Sequence, residues 1–160
     1  MFYPDTFEVS LPSDREIEVR RDFHAPRQLV FDAFTKPEFV RRWLLGPSGW
    51  TMPVCEIDAR AGGKFRYVWQ HPDGRDLKMS GTFVEVSPPE RTVHIENFDE
   101  DWAGDPTRVT TVFSEEDGGT TVTMTIAFTS KEARDGARAT GMTEGMETGF
   151  ARLDVILAAT

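Results

Sequence analysis

The chain has 160 residues, and its 18 lysines and arginines against 27 aspartates and glutamates give a formal net charge of −9. An acidic protein repels a phosphate backbone, which argues against a nucleic-acid partner. Hydrophobic residues make up 39% of the chain without an apolar run long enough to cross a bilayer, so the composition predicts one soluble globular domain and no membrane insertion.

The single cysteine, Cys55, cannot form an internal disulfide. The first residues also lack the basic and apolar segments of a secretory signal. Because a chain with this cysteine usage fits a reducing compartment, we expect a cytoplasmic protein.

The N-terminal part predicts an arm, a strand and two short helices. Residues 1–14 contain two prolines and show no period, so an irregular arm is expected there. Residues 15–24 alternate between apolar and charged side chains, which is typical of a strand with its charges on a solvated face. Two short apolar stripes follow, each with a proline suited to a first helical turn, Pro26 and Pro37.

The middle of the chain predicts strands joined by turns. Aromatic and β-branched residues alternate with polar ones, and glycines, prolines and aspartates separate the runs. Together with the first strand, these runs predict an antiparallel sheet of six or seven strands. They cover residues 54–59, 64–71, 77–86, 92–98, 107–113 and 120–129.

The last thirty or so residues predict a long helix with a kink near Gly141. It has an apolar stripe formed by Met, Phe and Leu side chains, and four glycines lie at positions 136, 141, 145 and 149. Each interior glycine costs a helix about 1 kcal/mol relative to alanine. We therefore expect this helix to pack loosely and to cover a cavity.

The predicted order of elements gives an α+β fold in a single domain over residues 15–160. An antiparallel sheet with one apolar face needs a cover. Only the C-terminal helix is long enough to lie across the whole sheet, so a cavity is expected between the two.

Several short segments resemble one protein family. Residues 31–38, Phe-Asp-Ala-Phe-Thr-Lys-Pro-Glu, with Trp43 after them, are similar to the opening of the START-like (SRPBCC) superfamily. Residues 58–65, Asp-Ala-Arg-Ala-Gly-Gly-Lys-Phe, match a turn in the branch named after the activator of Hsp90 ATPase. Residues 145–153 resemble the closing helix of that branch, so the resemblance extends over about residues 15–158.

The resemblance implies a helix-grip fold of the START-like or Bet v 1-like type, in which a bent antiparallel sheet surrounds the long C-terminal helix. Members of such families bind lipids, hormones or polyketides in a deep pocket, or catalyse unrelated reactions. The family therefore predicts the fold more closely than the function. The co-chaperone role in this branch is tied to an additional domain of eukaryotic members.

A ligand site is predicted between the apolar face of the sheet and the stripe of the helix. Many relatives have Trp where this chain has Met146, so the smaller, flexible side chain is expected to enlarge the space. The aromatic side chains of the strand over residues 64–71 are equally compatible with an ordinary core. The predicted lining residues are Phe65, Tyr67, Trp69, Phe83, Met124, Met142, Met146 and Phe150.

Glu96 and His94 are the candidate catalytic residues. They lie two positions apart in a predicted strand and therefore share one face, where a carboxylate in an apolar pocket can transfer protons. Val93 and Ile95 occupy the alternate positions and compete for the buried face. Two registers stay open, one with Glu96 and His94 inside near a bulge, and one with Glu96 in water and Ile95 inside.

Neither a metal site nor a cofactor is predicted. The three histidines, His24, His71 and His94, show no ligand spacing with one another or with Cys55. The acidic segment 96–105 lacks the pattern of a calcium-binding loop and is expected to be exposed. Phosphate-binding and dinucleotide-binding motifs are not found in the sequence.

Three functions are compatible with these features. The first is binding of a small hydrophobic or amphipathic molecule in the cavity. The second is an enzyme of the hydrolase, cyclase or isomerase type that uses a pocket acid such as Glu96. The third is a co-chaperone-like module that binds an unidentified protein partner.

Overall fold

The computed structural model describes residues 2–100 and 104–160, which form one antiparallel sheet of eight strands and four α-helices. The strands are β1 (Glu8–Ser10), β2 (Glu16–Phe23), β3 (Thr51–Ile57), β4 (Lys64–Gln70), β5 (Asp76–Ser87), β6 (Arg91–Phe98), β7 (Thr107–Glu116) and β8 (Gly119–Ala127). The helices are α1 (Arg27–Thr35), α2 (Pro37–Trp43), α3 (Lys131–Ala139) and α4 (Met142–Ala158).

The strand order across the sheet is β1-β2-β8-β7-β6-β5-β4-β3, and all neighbours are antiparallel. The α+β helix-grip fold is thereby confirmed. The two edges are β1, which has three residues, and β3, whose register is irregular between Thr51 and Val54 around Pro53.

The arm over residues 1–14, predicted to be irregular, supplies the eighth strand. β1 pairs with β2 from Glu8 opposite Arg20 to Ser10 opposite Glu18. The hydroxyl of Thr6 accepts a hydrogen bond from the backbone N–H of Asp22 at 2.9 Å. These contacts join residues that are distant in sequence, so a local pattern does not predict them. The sheet therefore has eight strands, whereas six or seven were predicted.

The predicted C-terminal helix is two helices that meet at Gly141. This residue has a φ of 82°, in the left-handed region that favours glycine, so the chain breaks completely where a kink was expected. α3 begins after Ser130, whose hydroxyl accepts a hydrogen bond from the N–H of Ala133. In the described part of the chain, every helix is too short or too polar to traverse a bilayer.

The glycine at position 149 tightens the packing of α4. A methyl group there would lie 3.1 Å from the carbonyl oxygen of Trp43 and 3.6 Å from its ring. The expectation that the glycines of this helix signal loose packing is wrong at Gly149, because its missing side chain lets α4 approach α2 closely.

Two hydrophobic clusters fill the space between the inner face of the sheet and the helices. The helix cluster joins α4 and α1 to the inner face of β2, β7 and β8, with Phe23, Phe113 and Phe150 among its largest buried side chains. The aromatic cluster lies on the other half of the sheet, where β3, β4 and β5 pack against Val40 of α2. Leu44 and Val86 contact both clusters.

A buried ion pair crosses the helix cluster. Arg21 stands on the inner face of β2 between Val19 and Phe23, although the alternation in this strand predicted all charges on the outer face. Its two terminal nitrogens each lie 2.6 Å from an oxygen of Asp154 on α4. Arg21 is 1% exposed and Asp154 is 5% exposed, so the pair is shielded from water.

Removing one member of this pair should destabilise the fold strongly. Arg21→Met or Asp154→Leu leaves an uncompensated buried charge, and we expect each to lower the free energy of unfolding by about 3–5 kcal/mol. The double variant should recover most of that loss, because it buries two apolar side chains instead. Urea unfolding of the three variants checks this.

The ion pair of Arg66 and Asp99 is a matched control, since it has the same bidentate geometry at 2.7 Å but lies at the surface. Water screens a pair of that kind, so Arg66→Met should cost far less than Arg21→Met. Equal losses for the two arginine variants would contradict the role assigned to burial.

Two glycines of the C-terminal helices should respond differently to alanine. Gly136 lies in α3, where an added methyl group would meet no atom of the described residues within 4 Å, so Gly136→Ala should raise the free energy of unfolding by about 1 kcal/mol. Gly149→Ala should show no such gain, because the methyl group presses on Trp43. A gain at Gly149 equal to that at Gly136 would show that α4 and α2 are not in close contact.

Candidate ligand-binding site

Strand β4 presents three aromatic side chains to the inner face of the sheet. Phe65, Tyr67 and Trp69 alternate with exposed or half-buried residues and are at most 9% exposed. The ring centroids of Phe65 and Tyr67 lie 4.9 Å apart, and those of Tyr67 and Trp69 lie 5.6 Å apart. The predicted alternation is thus present, and it produces a continuous aromatic row.

Gly81 of β5 gives the ring of Phe65 its position. Phe65 pairs with Gly81, which in turn pairs with Glu96 of β6. A methyl group at Gly81 would collide with the Phe65 ring and with the carbonyl oxygen of Ile95. The ring therefore lies across β5 toward β6. Sequence reasoning missed this role, although a glycine within a strand often marks such a close approach.

A bulge in β5 sets the register of β6. Phe83 pairs with His94 and Glu85 pairs with Val93, so Val84 is left without a partner between them. With this register His94 and Glu96 lie on the inner face beside Phe83 and Gly81. Ile95, the competing apolar residue, is 39% exposed.

His94 and Glu96 form a close pair at the edge of the aromatic cluster. Nε2 of His94 lies 2.6 Å from Oε1 of Glu96, and the two side chains are 17% and 24% exposed. A carboxylate only accepts hydrogen bonds, so Nε2 is the donor. The His94 ring lies 5.1 Å from the ring of Phe65 and 6.1 Å from that of Phe83. The pair can hold a proton and remains open to solvent on one side.

Tyr67 carries a hydroxyl without a hydrogen-bond partner among the described residues, although the residue is only 8% exposed. Burial raises the pKa of this hydroxyl, and the Cys55 thiol and the Glu96 carboxylate raise it further. The hydroxyl consequently stays protonated and can donate a hydrogen bond.

The remaining predicted lining residues lie in the helix cluster. Phe150 is buried there, and Met124, Met142 and Met146 pack against it while half-buried. The eight residues are therefore divided between two clusters that touch at Leu44 and Val86, and their shared role in ligand binding stays a prediction.

Two surface depressions of the described residues measure about 260 Å³ and about 150 Å³. The larger is bordered by residues of β3, β4 and β5, including Phe65, and the smaller by the β7–β8 turn and its neighbours. Neither is bordered by a residue of α4.

Cys55 lies in the aromatic cluster and is 5% exposed. Burial raises the pKa of its thiol in spite of the nearby Arg41, which fits a packing role better than that of a nucleophile. Within residues 2–100 and 104–160, no three His, Cys, Asp or Glu side chains are grouped so as to hold a metal ion. Part of the predicted acidic loop over 96–105, residues 101–103, lies outside the described residues.

The unpartnered hydroxyl of Tyr67 generates a stability prediction. Tyr67→Phe removes a hydroxyl that bonds to no described residue, so the free energy of unfolding at pH 7 should stay the same or rise by about 1 kcal/mol. Tyr3→Phe is the contrasting variant, because the Tyr3 hydroxyl lies 3.4 Å from Nδ1 of His24 and loses that contact. A loss above about 1 kcal/mol for Tyr67→Phe would mean that the hydroxyl has a partner.

The raised pKa of Tyr67 also predicts an alkaline effect. An unfolded tyrosine ionises near pH 10, whereas the folded one keeps its proton, so stability is lost as the pH rises above about 10. The slope from this residue approaches about 1.4 kcal/mol per pH unit, and it should vanish in Tyr67→Phe. Urea unfolding of wild type and variant between pH 8 and 11.5 measures the difference, and parallel curves would contradict the burial of this hydroxyl.

Comparisons with known proteins agree with this architecture. The family model described as "Activator of Hsp90 ATPase homolog 1-like protein" matches residues 24–158. A crystal structure of a Rhodobacter sphaeroides protein is 35% identical, with a TM-score of 0.92, and the match covers 98% of this chain and 100% of that one. A Staphylococcus epidermidis protein solved by NMR is 27% identical, with a TM-score of 0.82 and coverage of 94% and 93%.

The crystal structure of protein Ms6760 from Mycobacterium smegmatis shares the fold at 23% identity and a TM-score of 0.83, covering 96% of this chain and 97% of that one. None of the proteins with curated descriptions matches the chain. The family model covers most of the sequence and the Rhodobacter sphaeroides structure covers nearly all of it. On these grounds the chain belongs to the family of activator of Hsp90 ATPase homolog 1-like proteins.

Proposed function

We propose that this protein binds a small, largely apolar molecule on the inner face of the sheet, with the polar end of the molecule at His94 and Glu96. The observation that carries the proposal is the close His94–Glu96 pair at the edge of a row of aromatic rings. Placing a carboxylate beside aromatic rings costs solvation free energy. A ligand that hydrogen-bonds to the pair would offset that cost.

The apolar body of the ligand would occupy the contact between the two clusters, where Leu44 and Val86 touch both. Neither of the two depressions borders α4, and we propose that side chains move to admit the ligand. Met142 and Met146 are half-buried on the helix side, and unbranched methionines repack easily. The fold of the family is compatible with ligand binding of this kind and with co-chaperone-like roles.

The proposal is tested first by native mass spectrometry of freshly purified protein, in which a retained non-protein mass is expected. A titration with naphthalene, followed by amide chemical shifts, then locates the site. Shifts should concentrate at residues of β4 and β6 on the inner face and spare β1. Naphthalene that leaves the inner face unperturbed up to its solubility limit would refute the proposed site.

Substitution on the helix side gives an independent test. Met146→Trp should fill the space and weaken naphthalene binding without unfolding the protein. Val155→Trp is the matched control, because Val155 lies on the same helix and is 61% exposed. A loss of about 1–3 kcal/mol in the free energy of unfolding for Met146→Trp, with none for the control, would indicate a fully packed interior instead of a binding space.

The His94–Glu96 pair also favours a second candidate, catalysis of proton transfer on the bound molecule. A histidine hydrogen-bonded to a carboxylate can act as an acid or a base if a ligand atom lies within reach. Glu96→Gln should then retain ligand and abolish turnover. A ligand recovered chemically unchanged after incubation with wild-type protein would rule this candidate out and leave binding alone.

A further inference from the structure

We infer that residues 44–50 form a lid over the aromatic cluster, which opens while α4 stays in place. The segment connects α2 to β3, and its side chains Leu44, Leu45 and Trp50 pack on that cluster. As the route by which a ligand reaches the cluster, the lid rests on the proposed function. Its opening is a property of the protein alone and can be measured without a ligand.

The middle of the lid is not tied to the hydrogen-bonded framework around it. The N–H groups of Gly46, Ser48 and Gly49 form no hydrogen bond with a described residue. Pro47 between them has no N–H to donate, and residues 47–49 are exposed. A segment with neither a backbone ladder nor a buried middle opens at a lower free energy than the strands and helices beside it.

The α2 end of the lid is anchored. Trp43, the last residue of α2, is 4% exposed, and its indole N–H donates to the carbonyl oxygen of Ala33 at 2.8 Å. The N–H of Leu44 donates to the carbonyl oxygen of Val40 and completes the last turn of α2. The chain is therefore fixed as far as Leu44, and rotation about the backbone of that residue moves the lid.

The other end of the lid is held by the turn between β4 and β5. The ring centroids of Trp50 and His71 lie 5.2 Å apart, and the guanidinium carbon of Arg75 lies 5.2 Å from the centroid of the Trp50 ring. Asp73 orients both partners, since its carboxylate lies 3.1 Å from Nδ1 of His71 and 2.7 Å from Nε of Arg75. These side-chain contacts can separate without the loss of a strand.

The contact between the lid and α4 is also made by a side chain. Arg152 of α4 donates a hydrogen bond at 2.7 Å to the carbonyl oxygen of Gly46. A long arginine side chain can release this carbonyl while its helix stays where it is. The helix itself is held over β2 by the buried pair of Arg21 and Asp154, so opening of the lid does not require a shift of α4.

Two indole groups report on the opening. The indole N–H of Trp69 donates to the carbonyl oxygen of Leu44 at 2.7 Å, and rotation at Leu44 turns that carbonyl away. The indole N–H of Trp43 is bonded to Ala33 in the helix cluster, outside the lid. Hydrogen exchange of the two indole groups, followed by NMR on the full chain, therefore compares opening of the lid with opening of the helix cluster.

In wild-type protein, we expect the indole N–H of Trp69 to exchange at least about tenfold faster than that of Trp43, because local opening costs less than global unfolding. Arg75→Gln removes the cation beside the Trp50 ring and should speed exchange at Trp69 by about two- to fivefold. Trp50→Ala also removes the apolar contact of the ring and should speed it by about tenfold or more. Neither variant should change exchange at Trp43.

Ser48→Ala is the matched control, because it changes an exposed residue of the lid that touches neither end. It should leave both indole groups exchanging as in wild type. Acceleration confined to Trp69 in Arg75→Gln and Trp50→Ala, and missing from this control, would support the lid.

Equal exchange of the two indole groups in wild type, or variants that speed both groups equally, would overturn the lid, because the aromatic cluster would then open only with the whole domain. Fast exchange at Trp69 that neither variant alters would overturn it as well, since the opening would lie elsewhere. These results are independent of any ligand. A protein that binds no naphthalene would refute the proposed site and would leave the lid standing.

Discussion

The ion pair between Arg21 and Asp154 is the interaction on which the arrangement of the layers depends. A buried ion pair is stable only when its geometry is close to ideal. The bidentate contact between Arg21 and Asp154 therefore fixes the position of α4 over β2. α4 packs over β2, β7 and β8, and none of its residues belongs to the aromatic cluster on the other half of the sheet. That half is covered by α2 and residues 44–50.

The cover of the aromatic cluster depends in turn on α4. Arg152 of α4 donates a hydrogen bond at 2.7 Å to the carbonyl oxygen of Gly46, which fixes the segment that follows α2. The indole N–H of Trp69 donates to the carbonyl oxygen of Leu44, also at 2.7 Å. The segment from Leu44 to Gly46 thus links α4 to the aromatic row, so a shift of α4 would also move the hydrogen-bond partner of Trp69.

Local patterns predict the parts of the fold that depend on local physics. The alternation around Phe65 and Tyr67 predicts β4 and its buried face correctly, and the family motifs predict the helix-grip fold. Arg21 and Asp154 each lie at a position where the period of their element predicts an apolar side chain. Their pairing joins residues far apart in the sequence, so a local pattern does not predict it. The register of β6 follows from a bulge opposite it at Val84, which the sequence of β6 itself cannot indicate.

The two edge strands of the sheet are poorly suited to pairing with a strand of another chain. A long free strand edge invites a second polypeptide to add to the sheet, which promotes aggregation. Here one edge is only the three residues of β1, and the other contains Pro53, which has no N–H to donate, at an irregular position in β3. The regular part of β3 is the four residues from Val54 to Ile57, so neither edge offers a long, regular strand to which a second polypeptide could add.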